Sequence, residues 1–233
     1  MDAEKVEKNP TMQARSSGPE TTPRLRADIR IVLHTHRAQG FFNGSWKHGK
    51  MGLLQFAKVM SILWQAVKQD DPYAEWYLLK TYPAIHEARE KLKVIEKLLE
   101  SSLNQIRGIE VSTSLSTHPV AHQLQFATPF GYMGAYLITD FDFVLRQVLL
   151  LEKMGIMTSQ EDTSIKSLIQ IIQEVFSLPR QWKHTGVTRL DIMEKNQKSE
   201  DVKVLLGELP ESVLSKKIEF AFLPRSRGAR HDD

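Results

Sequence analysis

The sequence holds no cysteine in 233 residues. That excludes a disulfide framework, a thiolate nucleophile and any zinc site built on sulfur. Long apolar runs are missing too. The nearest, "FVLRQVLLLEKMG", is broken by Arg146 and Gln147 and falls short of the roughly 20 residues that span a bilayer. The opening "MDAEKVEKNP" has no apolar stretch behind it, so it does not read as a secretory signal, and a cytoplasmic protein is expected. Neither GxGxxG nor GxxxxGK[ST] occurs, which removes the recognisable phosphate cradles, and no repeat of fixed period is present. Hydrophobic residues at 41% and charged residues at 25% leave material for a sizeable core.

Acidic residues are scarce where basic ones gather. Residues 1–50 carry nine Lys/Arg against five Asp/Glu, whereas the rest carries 22 against 23, so the whole net charge of +3 arises at this end. Such asymmetry points to a local contact with a polyanion rather than to general solubility.

Residues 1–23, rich in Pro, Ser, Thr, Glu and Lys, bury too little apolar surface to order and read as a flexible arm. Next comes "RLRADIRIVLHTHR", with strand alternation. Ala27, Ile29, Ile31 and Leu33 share one face; Arg24, Arg26, Asp28, Arg30, Val32, His34 and His36 share the other. Residues 38–50, "AQGFFNGSWKHGK", read as a loop. Helical stripes follow over 53–69 and, after Asp71 as N-cap and Pro72 as first helical residue, over a second helix beginning at 72. A long helix is predicted from Pro83 to about Arg107. Its seam of Ile85, Ala88, Leu92, Ile95, Leu99, Leu103 and Ile106 suits another helix of this chain or of a partner subunit. Residues 109–126 read as extended or irregular. Helices then span about 130–154 and 159–177, the latter with a capping box of Thr158 and Glu161, and shorter ones lie near 200–207 and 211–216. The fold class is mainly α with one informative strand near the front.

The one-signed strand carries the main signal. It shows no obvious hairpin partner within twenty residues, so one solution is antiparallel pairing with the same strand of a second subunit. The aliphatic face would lie on the helices, and the arginine face would form a ribbon suited to the major groove of B-DNA. The alternative is a solvated edge strand whose arginines discourage aggregation. His34 and His36 share a face, but with only Asp28 nearby they make a poor metal site. Gly131 and Gly134 suit close helix packing. Asp140 and Asp142, two apart on a helix, do not face each other as an acid/base pair would. Asp70, Asp71 and Glu75 fit a helix junction. No arrangement for catalysis stands out, so no enzyme and no cofactor are expected.

The blocks "LHTHRA", "KHGKMGLLQFAKVM", "QDDPYAEWYLLK", "FATPFGYMGAYLITDFDFVLRQV", "TGVTRLDI" and "GELPESVLS" occur in order over about residues 24–215. Together they resemble the AcaB-type family, transcriptional activators of conjugative transfer encoded on conjugative plasmids and integrating conjugative elements. The resemblance implies a dimeric DNA-binding regulator of ribbon-helix-helix type. Mapped here, the ribbon falls at 26–34, the first helix at about 51–69 and the second at about 72–82, with some sixteen residues between ribbon and helix where small members of that superfamily have almost none.

The organisation expected is a flexible arm (1–23), a ribbon-helix-helix DNA-binding region (24–82), a helical body (83–215) and a basic, flexible tail (216–233). Arg26, Asp28 and Arg30 are the candidates for base edges. Arg24, Arg37, Lys47 and Lys50 are the candidates for phosphate, with the backbone N–H groups of 49–54; His34 suits either role. The expected partners are a pseudo-palindromic promoter duplex and a second copy of the chain, with other regulators or RNA polymerase as further contacts. A DNA-processing accessory protein of conjugation, or a helical interaction subunit with no specific DNA binding, would share most of these features.

Overall fold

The computed structural model describes residues 28–44, 50–104, 115–215 and 223–224. Among them are two strands, β1 (Ile29–Leu33) and β2 (Val120–Leu124), and eight helices: α1 (His36–Asn43), α2 (Leu53–Lys68), α3 (Pro72–Asn104), α4 (Pro129–Lys153), α5 (Ser159–Ser177), α6 (Arg189–Met193), α7 (Gln197–Leu206) and α8 (Glu211–Leu214). The mainly helical architecture with a strand at the front is as the alternation and the stripes predict. The arm, the tail beyond Ser215 except 223–224, and Arg24, Arg26, Lys47 and Ile106 lie outside the described residues.

The core is built by α2, α3, α4 and α5. Phe56 and Met60 of α2, Leu78, Ile85, Leu92 and Leu99 of α3, Phe130 and Phe141 of α4 and Phe176 of α5 are all sealed from solvent. Burying each such side chain stabilises the fold by about 1.5–3 kcal/mol. The α3 seam is spent inside the chain, against α4 and α5. Gly134 lets α4 approach α2: a Cβ there would stand 2.8 Å from Leu53 Cδ1 and 3.1 Å from the Phe56 ring. The packing role expected of this glycine is therefore met.

Two sequence expectations are corrected, and one element is added. Residues 38–43 are not loop but most of α1, N-capped by Thr35, whose Oγ1 accepts from Ala38 N–H. Its one-turn-longer-than-minimal length and Gly40 hide the stripe that would have announced it. The helices predicted at 72–82 and from 83 are one helix, α3, running through Pro83. Proline there removes one backbone donor, but the buried flanks Leu78 and Ile85 hold the helix together across it. Finally, "TGVTRLDI" contains the short α6, with a capping box of Thr188 and Asp191.

Gly44, at the end of α1, and Gly52, at the start of α2, are in contact. Gly44 sits at φ 72°, in the left-handed region, and a Cβ on Gly52 would lie 2.2 Å from Gly44 N. The obstructing atoms, Gly44 N, Asn43 C and Gly44 Cα, are all backbone, so relief requires moving one helix end. Gly52→Ala should therefore lower stability by about 1–3 kcal/mol, read as a fall in the denaturation midpoint with unchanged m-value.

Candidate nucleic-acid interface

β1 finds its partner within the chain: it pairs antiparallel with β2, in the register Ile29–Leu124, Arg30–Gln123, Ile31–His122, Val32–Ala121 and Leu33–Val120. Directly opposed residues share a face. Ile31, Leu33 and Leu124 therefore turn into the core, and His122 stacks on Phe42 of α1 with ring centroids 3.8 Å apart. Arg30, Val32, Ala121 and Gln123 face outward and are exposed. The alternation read from the sequence thus holds from Arg30 to Leu33, whereas Ile29 stays exposed and His36, read as part of the strand's outward face, opens α1.

A polar groove on the ribbon is lined by Asp28, Arg30, Ala121 and Gln123 of the outward face together with Ile29 and His122. Gln123 Nε2 donates to Asp28 Oδ1 at 3.1 Å, and Arg30 makes no ion pair among the described residues. This places a guanidinium fork, a carboxamide and a carboxylate side by side on a two-stranded ribbon. These are groups that bind, respectively, guanine O6/N7, adenine N6/N7 and the cytosine amine at base edges. Gln123 and Ala121 escaped the sequence reading; the alternation in "VAHQL" was their signal, hidden in a stretch that read as irregular.

Of the remaining candidates, His34, Arg37 and Lys50 are among the described residues. His34 is half-buried, and its Nδ1 accepts from Ser116 N–H at 3.2 Å. Arg37, on the first turn of α1, and Lys50, before α2, are both exposed. No side chain caps the first turn of α2, so the donors there are not taken by a cap. The start of α1 differs: Thr35 caps it, and the buried carboxylate of Asp142 on α4 accepts from Thr35 N–H (2.8 Å), Thr35 Oγ1–H (2.8 Å) and His34 N–H (3.1 Å). Asp142 thus pins the ribbon–helix junction to the helical body. Asp140, two residues away, turns instead to Arg89 of α3 at 2.6 Å, as the spacing requires. α1 starts three residues after β1, so a helix follows the strand almost directly within the stretch read from the sequence as a loop.

At the other end of the molecule, Asp70 and Glu75 hold Arg189, while Asp71 Oδ1 accepts from Ala74 N–H as the N-cap of α3. Burial pushes the Asp71 carboxyl above its ordinary pKa. Among the described residues no cluster of His, Asp or Glu is placed to hold a metal ion, and no helix is long and apolar enough to cross a membrane.

A comparison with curated proteins finds no match. Among solved structures, the fold is similar to that of selenomethionine-containing AcaB from uropathogenic E. coli, with a TM-score of 0.55 at 13% sequence identity, covering 82% of this chain and 95% of that one. The family model described as "Transcriptional regulator AcaB" matches residues 22–227. With that match running through the ribbon and the whole helical body, the chain belongs to the AcaB family of transcriptional regulators.

Proposed function

We propose that this regulator binds duplex DNA sequence-specifically through the outward face of the β1–β2 ribbon, and activates genes of conjugative transfer. The observation that carries the reading is the row Asp28, Arg30 and Gln123 on an exposed two-stranded ribbon whose other face is anchored in the core. A ribbon of that width fits the major groove. Arg30 and Gln123, with Arg26 ahead of the strand, contact base edges. Arg37, Lys50 and the first turn of α2 contact phosphates, as do Arg24 and Lys47. His34, with its ring tied to Ser116, serves as a backbone-side support.

The active species is a homodimer on a pseudo-palindromic site, with the two ribbons related by a two-fold axis. Because β2 occupies one edge of β1, pairing of β1 with its copy uses the other edge. The family's regulatory role favours this reading over a helical interaction subunit without DNA binding.

The test is a titration of labelled promoter duplex at two salt concentrations. Arg30→Ala should cost about 1–3 kcal/mol on a specific site and relax preference at one base pair, whereas Lys50→Ala should weaken all duplexes alike and reduce the salt slope by about one. Specific binding that survives Arg30→Ala together with Gln123→Ala in a folded protein would exclude the ribbon as the reading surface.

A further inference from the structure

Between α1, the start of α2 and α5 lies a cleft of about 360 Å³ that the ribbon reading does not use as a cavity. The volume falls in the range of small-molecule sites, roughly 300–1,000 Å³. Its walls combine two chemistries. Phe41, Met51 and Ile169 supply apolar surface, and Arg37 and Lys50 supply positive charge. Among the described residues no acid lines it, and neither cation has an ion-pair partner.

Gly40 is the informative residue. It sits inside α1, where glycine is the least favourable residue after proline, and its φ is not in the left-handed region. A Cβ built on it meets nothing within 4 Å. Neither backbone conformation nor packing therefore requires glycine here. Gly40 is exposed and lines the cleft, so its missing side chain leaves that wall open. Gly44, which also lines the cleft, is held against Gly52 at the start of α2.

We infer that this cleft binds a small organic anion with an apolar body, its anionic group held by Arg37 and Lys50 and its body laid over Gly40 against Phe41, Met51 and Ile169. A charge-assisted bond to a guanidinium fixes orientation, and the apolar walls supply most of the buried area. The consequence for DNA rests on the function proposed above: the ligand takes two cations from the phosphate backbone, so its binding weakens every duplex and lowers the salt slope by about two. The anion is thus a negative effector that acts on affinity rather than on base preference.

The site is tested on the full chain by calorimetry with 2-naphthoate, and with 2-naphthylmethanol and inorganic phosphate as the neutral and the body-less probes. Saturable one-to-one binding of 2-naphthoate is expected, with both other probes weaker by roughly tenfold or more, the loss that removing a charge-assisted contact brings. Gly40→Leu fills that open wall and should abolish binding while leaving the helix content and melting temperature at least as high. Arg37→Gln should weaken it by roughly tenfold. No saturable binding, equal binding of 2-naphthylmethanol, or unchanged binding in Gly40→Leu overturns the site. Since the calorimetry contains no DNA, its outcome is independent of whether the ribbon reads bases. In a duplex titration, 2-naphthoate should raise the apparent Kd of the wild type and leave Gly40→Leu unaffected; a flat wild-type response overturns the effector role.

Discussion

Arg189→Met should destabilise the protein by about 3–5 kcal/mol, which is a large share of the stability of a domain of this size. Arg189 opens α6 and reaches back across more than a hundred residues to the α2–α3 junction. Its guanidinium donates to Asp70 Oδ1 at 2.6 Å, to Glu75 Oε2 at 2.5 Å and to the Val213 carbonyl at 3.2 Å. Arg189 and Glu75 are both less than a tenth exposed, so removing the arginine strands a carboxylate away from water. Asp70 is a third exposed and adds little by itself. Its φ of 66° is a conformation that aspartate tolerates better than most residues, and the turn it forms aims it at Arg189. The same guanidinium ties α8 through Val213, so one side chain joins both ends of the segment from α6 to α8 to the α2–α3 junction. A double variant, Arg189→Met with Glu75→Leu, separates the causes. It should recover most of the loss, because the stranded charge is then gone and two apolar groups of similar volume remain. A double variant no more stable than Arg189→Met would show that packing, not charge, holds this end. Chemical denaturation followed by tryptophan fluorescence reads both.

How far the sequence discloses this molecule depends on whether a residue's role is set by its neighbours in the chain or in space. β1 was legible because its faces alternate and only one of them is aliphatic. The capping box at Thr158 and Glu161 and the Asp71 cap were legible because their partners lie three residues on. α1 was not, since eight residues with a glycine among them give too short a stripe. β2 was hidden for a different reason: its partner is some ninety residues away, and a strand with three exposed positions of five has little apolar signal of its own. The proposed reading surface was therefore half visible. Asp28 and Arg30 came from the alternation, but Gln123 needed the pairing register to bring it opposite Arg30. The acids at 70 and 75 show the same limit. Helix-junction chemistry accounts for Asp71 but not for its neighbours, whose cation is supplied from position 189.

Asp142 is the second residue whose loss should be severe, and here the damage should fall on the ribbon. Its carboxylate gathers the N–H groups of His34 and Thr35 and the Thr35 hydroxyl, and Arg146 stands 3.5 Å from its other oxygen. It is 2% exposed, so no water replaces it. Asp142→Ala leaves two backbone donors and a hydroxyl without an acceptor and Arg146 without its counter-charge, at an expected cost of about 3–5 kcal/mol. Asp142→Asn keeps one acceptor oxygen but turns two donors toward donors, and should cost about 1–3 kcal/mol. These groups join β1 to α1, while the core among α2, α3, α4 and α5 does not pass through them. The loss should accordingly appear first as local opening. Hydrogen exchange in β1, β2 and α1 should accelerate strongly in Asp142→Asn, with α3 and α5 protected nearly as in the wild type. Uniform acceleration across all elements would mean that the carboxylate supports the whole fold. On the proposed DNA reading, the same variant should lose affinity for a specific duplex while keeping the phosphate-driven salt slope. The cations would still be present, but Arg30 and Gln123 would no longer be held in register with the bases.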